Sequence, residues 1–258
     1  MLKSALTAVA AVALVVRVAA LPQTGAGGSF NVTDVLAKMQ AAYIALSSYS
    51  DTGTVTSDVG GFADKWQFRT AYTKDPRNLF IEVKGVESLY KSGFRIPSNT
   101  RVVIWMQKGE LEKWDQNGNH ETFPANGGGQ VEALKTASYG SQGITILIPS
   151  LVYTKANLAT PIQAMEEPTA AGYETVANRR CYKVMGIERW RYPNGRVTGV
   201  RPISIWIDAE NFMIRKIVED TEKGGAVGRI DVRTITLEPQ VNPKLEPSVF
   251  AFNIPPTK

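Results

Sequence analysis

The chain has 258 residues, of which 43% are hydrophobic and 21% charged, with a formal net charge of +5. That suits one sizeable core, or at most two. The Lys and Arg residues form no run that could track phosphates, which argues against nucleic acid. A single histidine, His120, and a single cysteine, Cys181, exclude a His-based metal cluster, a Cys/His zinc site and an intrachain disulfide.

At the N-terminus Lys3 precedes a short apolar run over 5–16, and Val18-Ala19-Ala20 offers small residues for cleavage. The run is shorter than the ~20 residues a membrane span needs. This predicts a signal peptide over 1–20, a Gly-rich linker over 21–29 and a single domain over 30–258. The mature protein is expected to be exported and soluble, in a bacterial periplasm. Cys181 lies too far along to be a lipid-bearing first residue and reads as a small buried strand residue.

Asn31 can cap a helix with Asp34 in its first turn, and Phe30 and Val35 stand where a hydrophobic staple would place them. Val32, Val35, Leu36, Met39, Tyr43 and Leu46 follow helical spacing on one face as far as 47–48. The stripe packs on a sheet or serves as a cargo-contacting lid. A first strand is predicted over 49–57 and a loop over 58–62. The stretch 65–84 organises the chain. Trp66, Phe68, Thr70 and Tyr72 alternate with Lys65, Gln67, Arg69 and Ala71, and Leu79, Ile81 and Val83 alternate with Phe80, Glu82 and Lys84. Between them, Lys74-Asp75-Pro76-Arg77 breaks the pattern, because proline lacks an N–H and pushes its predecessor out of the helical region. Together they read as a long antiparallel hairpin with an aromatic face.

A strand follows over 101–107, then a turn at 108–109 and a short hairpin, 111–114 and 119–123, across Gln116-Asn117-Gly118. Gly127 to Gly129 reads as a loop and 131–139 as a short helix. The apolar run 144–153, interrupted by Pro149, is a second short helix or an apolar loop. From Tyr173 the chain meanders through strands at 173–176, 180–191, 197–207, 212–220 and 227–237. The turns between them fall at Asn178-Arg179, Pro193-Asn194-Gly195, 208–211 and Lys223-Gly224-Gly225. In the tail, Phe250 and Phe252 are placed on one side of a short strand, with Pro255-Pro256 as a stop. Roughly ten strands and two or three helices, without βαβ alternation, predict an α+β, mainly β fold. It is expected to be a large curved antiparallel sheet, an open or half β-barrel, with covering helices.

Catalytic signatures are sparse. His120 has no GxSxG elbow beside it, and the glycine clusters do not link a strand to a helix as a phosphate loop does. Asp208 and Glu210 are explained by a turn, and Glu219-Asp220-Glu222 reads as a solvated strand end. No cofactor and no metal are expected. Aromatic residues at alternating strand positions are abundant: Trp66, Phe68, Tyr72, Trp105, Trp190, Trp206 and Phe212. Of these, Trp66, Phe68, Tyr72, Trp105 and Trp206, with Met39 and Tyr43 of the helix, are the candidates to line a hydrophobic cavity.

The order of segments carries a resemblance. A leader, an amphipathic helix and a strand precede a hairpin turning at PRNLF (Pro76 to Phe80). Then come a Trp-bearing strand pair (VVIWMQKGELEKW), a helical insert, a meander (with ISIWIDAENFMIRKI) and the tail FAFNIPP. This resembles the outer-membrane lipoprotein carrier superfamily, the LolA/LolB-like proteins, in a divergent branch, over nearly the whole mature chain. The resemblance implies an open barrel closed by helices around a hydrophobic cavity that carries acyl chains. It also implies a non-enzymatic role in lipoprotein sorting, with lipids or lipoproteins and envelope membrane proteins as partners. The carrier has an arginine immediately before the turn proline. Here Asp75 holds that position and Arg77 stands past the proline, so Arg77 is the lid or turn candidate. Two other readings stay open: a periplasmic scaffold or sensor domain with a dry core, and a glycan-active enzyme drawing carboxylates from distant positions.

Overall fold

A computed structural model describes residues 29–59, 62–90, 92–107, 110–123, 134–137, 143–153, 162–191, 195–220 and 232–255. The expected leader, most of the linker, the turns at 108–109 and 223–225 and the glycine loop 127–129 lie outside these residues. So do Pro193-Asn194, 227–231 and both ends of the helix expected over 131–139, of which 134–137 is helical.

Helix α1 (Val32–Ile44) begins where the sequence says it should. The Asn31 side chain accepts a hydrogen bond from the Asp34 N–H at 3.2 Å, and Val35, Met39 and Tyr43 are its buried residues. Thirteen strands follow among the described residues. They are β1 (Ser48–Val59), β2 (Phe62–Thr73), β3 (Asn78–Tyr90), β4 (Arg95–Pro97), β5 (Arg101–Gln107), β6 (Glu110–Asp115), β7 (His120–Phe123), β8 (Glu166–Val176), β9 (Arg179–Arg191), β10 (Val197–Asp208), β11 (Ile214–Asp220), β12 (Val232–Leu237) and β13 (Gln240–Val241). Helix α2 (Ile144–Val152) lies between β7 and β8, and a 3-10 helix (Pro247–Phe250) ends the chain.

All the strands join one antiparallel sheet in the order β7-β6-β5-β3-β2-β1-β12-β11-β10-β9-β8, with β13 on β1 and β4 on β3. The sheet is open: β7 and β8 are its free edges. Two meanders, one on each side of α2 in sequence, are joined through the β1–β12 pair. The helices pack against each other and on one face, while the C-terminal tail crosses the other.

Several boundaries differ from the sequence reading. Asp58, Val59 and Phe62 belong to strands, with Val59 paired to Phe62, so the strands run into the loop expected over 58–62. Strand β3 continues to Tyr90, because a bulge opposite Lys65 and Trp66 switches the alternation near Val86 and hides the second half from a period-two search. Strand β8 starts at Glu166, and two bulges break its pattern. Phe212 is in the left-handed region (φ 58°) and ends a turn rather than starting a strand. The 144–153 run is a helix. The tail is a 3-10 helix, not a strand, with Pro247 in its first turn. Its two phenylalanines do share a side, against β5 and β6.

Candidate functional site

The two faces of the sheet differ in what covers them. On the inner face, under the helices, Phe68 and Tyr72 of β2, Leu79, Ile81 and Val83 of β3 and Ile104 and Met106 of β5 form one buried cluster. It continues into Ile203, Ile205 and Ile207 of β10, with Met39 and Tyr43 of α1 and Leu147, Ile148 and Leu151 of α2. Trp66 is half-buried against it. Helix α2 carries no charged residue, and seven of its nine residues are buried. Thus Met39, Tyr43, Trp66, Phe68 and Tyr72 share one packed cluster.

Trp105 and Trp206 do not. Strand β5 reads RVVIWMQ and is apolar on both sides, so alternation could not assign its tryptophan. Trp105 points outward with Ala71, Phe80, Val103 and Trp114, under Phe250 of the tail. Its ring lies 4.9 Å from that of Phe252 and stacks on His120 at 5.8 Å. Trp206 also faces outward: its Nε1 donates to Glu174 at 2.7 Å, and Lys183 and Lys216 sit over its ring at 4.9 and 4.7 Å. The Trp190 side chain lies outside the described ones, and Phe212 stacks on Tyr182 at 6.0 Å at the α1 end.

The β2–β3 turn touches both helices. Lys74 Nζ donates to the Ile44 carbonyl at the end of α1, 3.2 Å away. The Arg77 guanidinium lies 5.5 Å from the ring centroid of Tyr153, just past α2, and Tyr153 meets Tyr72 edge-on at 5.8 Å. The arginine past the proline therefore does contact the helical insert.

Polar groups on the inner face were not legible from the sequence. On the inner face of β1, Tyr49 donates through its hydroxyl to Asp51 Oδ2 at 2.8 Å. Tyr43, 5.9 Å from Tyr49 between centroids, accepts from the Ile214 N–H at 3.2 Å. Asp51 pairs in register with Thr70 of β2, and the two are only 4% and 3% exposed. The Tyr153 hydroxyl is buried without a hydrogen-bond partner among the described residues. Burial pushes the Asp51 carboxyl up to about 6, while Tyr49 and Thr70 pull the other way. Burial also raises the Tyr43, Tyr49 and Tyr153 hydroxyls and the Cys181 thiol, the last to about 11. Cys181 is buried in β9, as expected, and such a thiol is no nucleophile.

Farther along the inner face, away from α1, the floor turns ionic. Arg201 of β10 pairs with Glu188 and, at 2.5 Å, with Glu219, and Arg233 of β12 reaches Glu219 at 2.5 Å. Glu219 is 1% exposed, which corrects its reading as a solvated strand end: it faces inward, held between two guanidinium groups.

On the outer face, Glu82 is held by Arg69, Lys84 and Arg101. Burial pushes its carboxyl up, but the bonds from Lys84 and Arg101 and the nearby charges outweigh it and keep the pKa low. Beside it runs an open groove of about 330 Å³ lined by Thr52, Thr54, Gln67 and Arg69. His120 Nε2 sits 2.8 Å from Glu112, and Asp208 at the end of β10 holds Arg215 of β11 at 2.8 Å. Among the described residues, no group of three or more His, Cys, Asp or Glu side chains is placed to hold a metal ion. None of the described helices is long and apolar enough to cross a membrane.

No family model matches the chain, and no curated protein matches it. Solved structures align with it at low identity. Lipoprotein LppX of Mycobacterium tuberculosis is 13% identical, with 84% of this chain and 99% of that one covered and a TM-score of 0.41. MucB, in the MucA/MucB complex of Pseudomonas aeruginosa, is 12% identical, with 86% and 60% covered and a TM-score of 0.44. A LolA superfamily protein from Nitrosomonas europaea is 10% identical, with 87% and 99% covered and a TM-score of 0.29. No residue's role is carried over from them. The fold is one open antiparallel sheet with helices packed on one face.

Proposed function

We propose that this protein is a non-enzymatic, exported carrier or chaperone that binds acyl chains of lipids or lipoproteins between the inner face of its sheet and helices α1 and α2. One observation carries the reading. An open sheet presents a continuous apolar face, and an uncharged helix, ITILIPSLV, lies in it. An acyl chain entering there gains roughly 0.8 kcal/mol per buried methylene, enough for a chain of ordinary length to compete with the helices for the same wall. Met39, Tyr43, Trp66, Phe68 and Tyr72 form that wall. Trp105 and Trp206 are left out because they face away. The Lys74 and Arg77 contacts tie both helices to one turn, so Arg77 is a fitting latch for their displacement.

A scaffold or sensor domain with a dry core is the second reading, favoured by the near-complete burial of Phe68 and Tyr72, each 4% exposed. Native mass spectrometry of gently purified protein separates the two. A carrier arrives with a heterogeneous lipid load that organic extraction removes. A single unliganded mass, with no lipid in the extract, would support the scaffold and refute the carrier.

A further inference from the structure

We infer that the open groove beside Glu82 on the outer face binds a small hydroxylated carboxylate, such as an acidic sugar, with Arg69 taking the carboxylate. This goes beyond the carrier reading, which concerns the other face of the sheet, and does not depend on it.

The charge around Glu82 does not balance. Arg69, Lys84 and Arg101 all pair with its carboxylate, and none of the three has another ion-pair partner among the described residues. Three cations on one carboxylate leave two positive charges unmatched. Glu82 stays ionised, because the bonds from Lys84 and Arg101 outweigh the effect of burial. Its side chain is 4% exposed, so it anchors the cations and is not itself presented to a ligand. Cations gathered this way repel one another, and a bound anion relieves that repulsion.

Arg69 is the cation prepared for that anion. Its Nε donates to Glu82 at 2.7 Å, and its guanidinium lies over the Phe80 ring, 4.6 Å from the centroid. These two contacts orient the planar fork. Its two Nη groups make no hydrogen bond among the described residues, and the side chain is 55% exposed where it lines the groove. An oriented guanidinium with that end open matches the two oxygens of a carboxylate. Arg101, by contrast, spends Nε and an Nη on Glu82 and lies against the rings of Trp114 and Phe252.

The remaining walls set the class of ligand. Thr52 stands opposite Arg69 in register, and its carbonyl accepts from the Glu238 N–H, which places Glu238 across the groove from Arg69. The Glu238 carboxylate is in no ion pair among the described residues and repels a second negative charge, which favours a carboxylate over a phosphate dianion. One row along, Thr236, Thr54 and Gln67 are aligned across β12, β1 and β2. Their hydroxyls and amide both donate and accept, as the hydroxyls of a sugar do. The volume of about 330 Å³ is at the lower end for ligand pockets and suits one such molecule rather than a chain of them.

The experiment titrates the full-length purified protein, labelled with nitrogen-15, at low ionic strength and follows its amide resonances. The probes are sodium glucuronate, glucuronamide, sodium acetate and inorganic phosphate. Glucuronate should shift the amides of Thr52, Thr54, Gln67 and Arg69 saturably, with a Kd about tenfold or more below that of each other probe. Arg69→Gln should bring glucuronate to the level of glucuronamide, and Arg69→Lys, which keeps the charge without the fork, should recover only part of the difference. Glu238→Gln should strengthen phosphate more than glucuronate. In both Arg69 variants Lys84 and Arg101 still hold Glu82, and an unchanged spectrum away from the groove identifies a folded protein. If Arg69→Gln does not fold, Arg69→Lys and Glu238→Gln carry the test. No saturable shift in the groove with glucuronate would overturn the inference. So would acetate binding as tightly as glucuronate, which leaves a bare anion site, or phosphate binding more tightly than either.

Discussion

The inner and outer faces of this sheet solve the same problem in opposite ways. Both bury aromatic side chains, and both bury charge. On the outer face the chain finishes the work itself. The tail lays Phe250 and Phe252 over Trp105 and Trp114, three cations hold Glu82, and Trp206 is bonded to Glu174. On the inner face helices α1 and α2 cover the apolar cluster, and the buried Tyr153 hydroxyl has no hydrogen-bond partner among the described residues. Tryptophan content alone does not separate them.

The largest effect that could break this contrast is on stability. Phe250→Ala, at a side chain 1% exposed, should cost about 3–5 kcal/mol in denaturant unfolding and leave fatty-acid probe affinity unchanged. Phe68→Ala should cost the ligand-free protein less and weaken the probe several-fold, since area lost from the wall is area lost against the acyl chain. A Phe68→Ala loss as large as that of Phe250→Ala, with unaltered probe binding, would make both faces structural.

The next effect is on pH dependence. The Asp51 carboxyl is raised from 3.8 to about 6 in the folded state, so the fold holds this proton to higher pH than the unfolded chain does. The resulting stability is fully present below about pH 4 and is lost as pH rises through about 6, by about 3 kcal/mol in all. The groups around it are Tyr49 on its own strand, Thr70 on β2 and Tyr43 on α1, with Arg215 of β11 acting on Tyr43. Other carboxylates titrate in the same range, so the quantity to measure is the stability of the unaltered protein minus that of Asp51→Asn. It should fall between pH 4 and 7, and a flat difference would place Asp51 in water rather than on the buried face.

How far the sequence could lead is visible in particular residues. Asn31 and the helical stripe located α1, and strict alternation from Trp66 to Tyr72 located both β2 and its inward face. Alternation failed where its physical basis fails. Strand β5 is apolar on both sides, so Trp105 had no readable face. The bulge near Val86 reverses parity, so β3 looked half its length. Glu219, in IVED, has the pattern of a strand end, and only the arrival of Arg201 and Arg233 from other strands makes its burial tolerable. Asp51 sits in SYSDTGT, where every second residue is small or polar. Nothing local shows that Tyr49 and Tyr43 enclose it.

The smallest effect concerns the tryptophan that the sequence placed with the wrong face. Trp206→Phe loses the bond to Glu174 and part of the contact with Lys183 and Lys216, a change of about 1 kcal/mol in stability. Probe affinity should stay within about twofold, since neither contact lies on the inner face. A larger drop in affinity would move the ligand to the outer face.

The most direct measurement of where an acyl chain goes is photolabelling with a diazirine-bearing fatty acid, followed by peptide mapping. The account predicts labels within 39–49, 66–72 and 144–153, removed by competition with unlabelled fatty acid. Competable labels confined to 101–114 and 245–252 would contradict it.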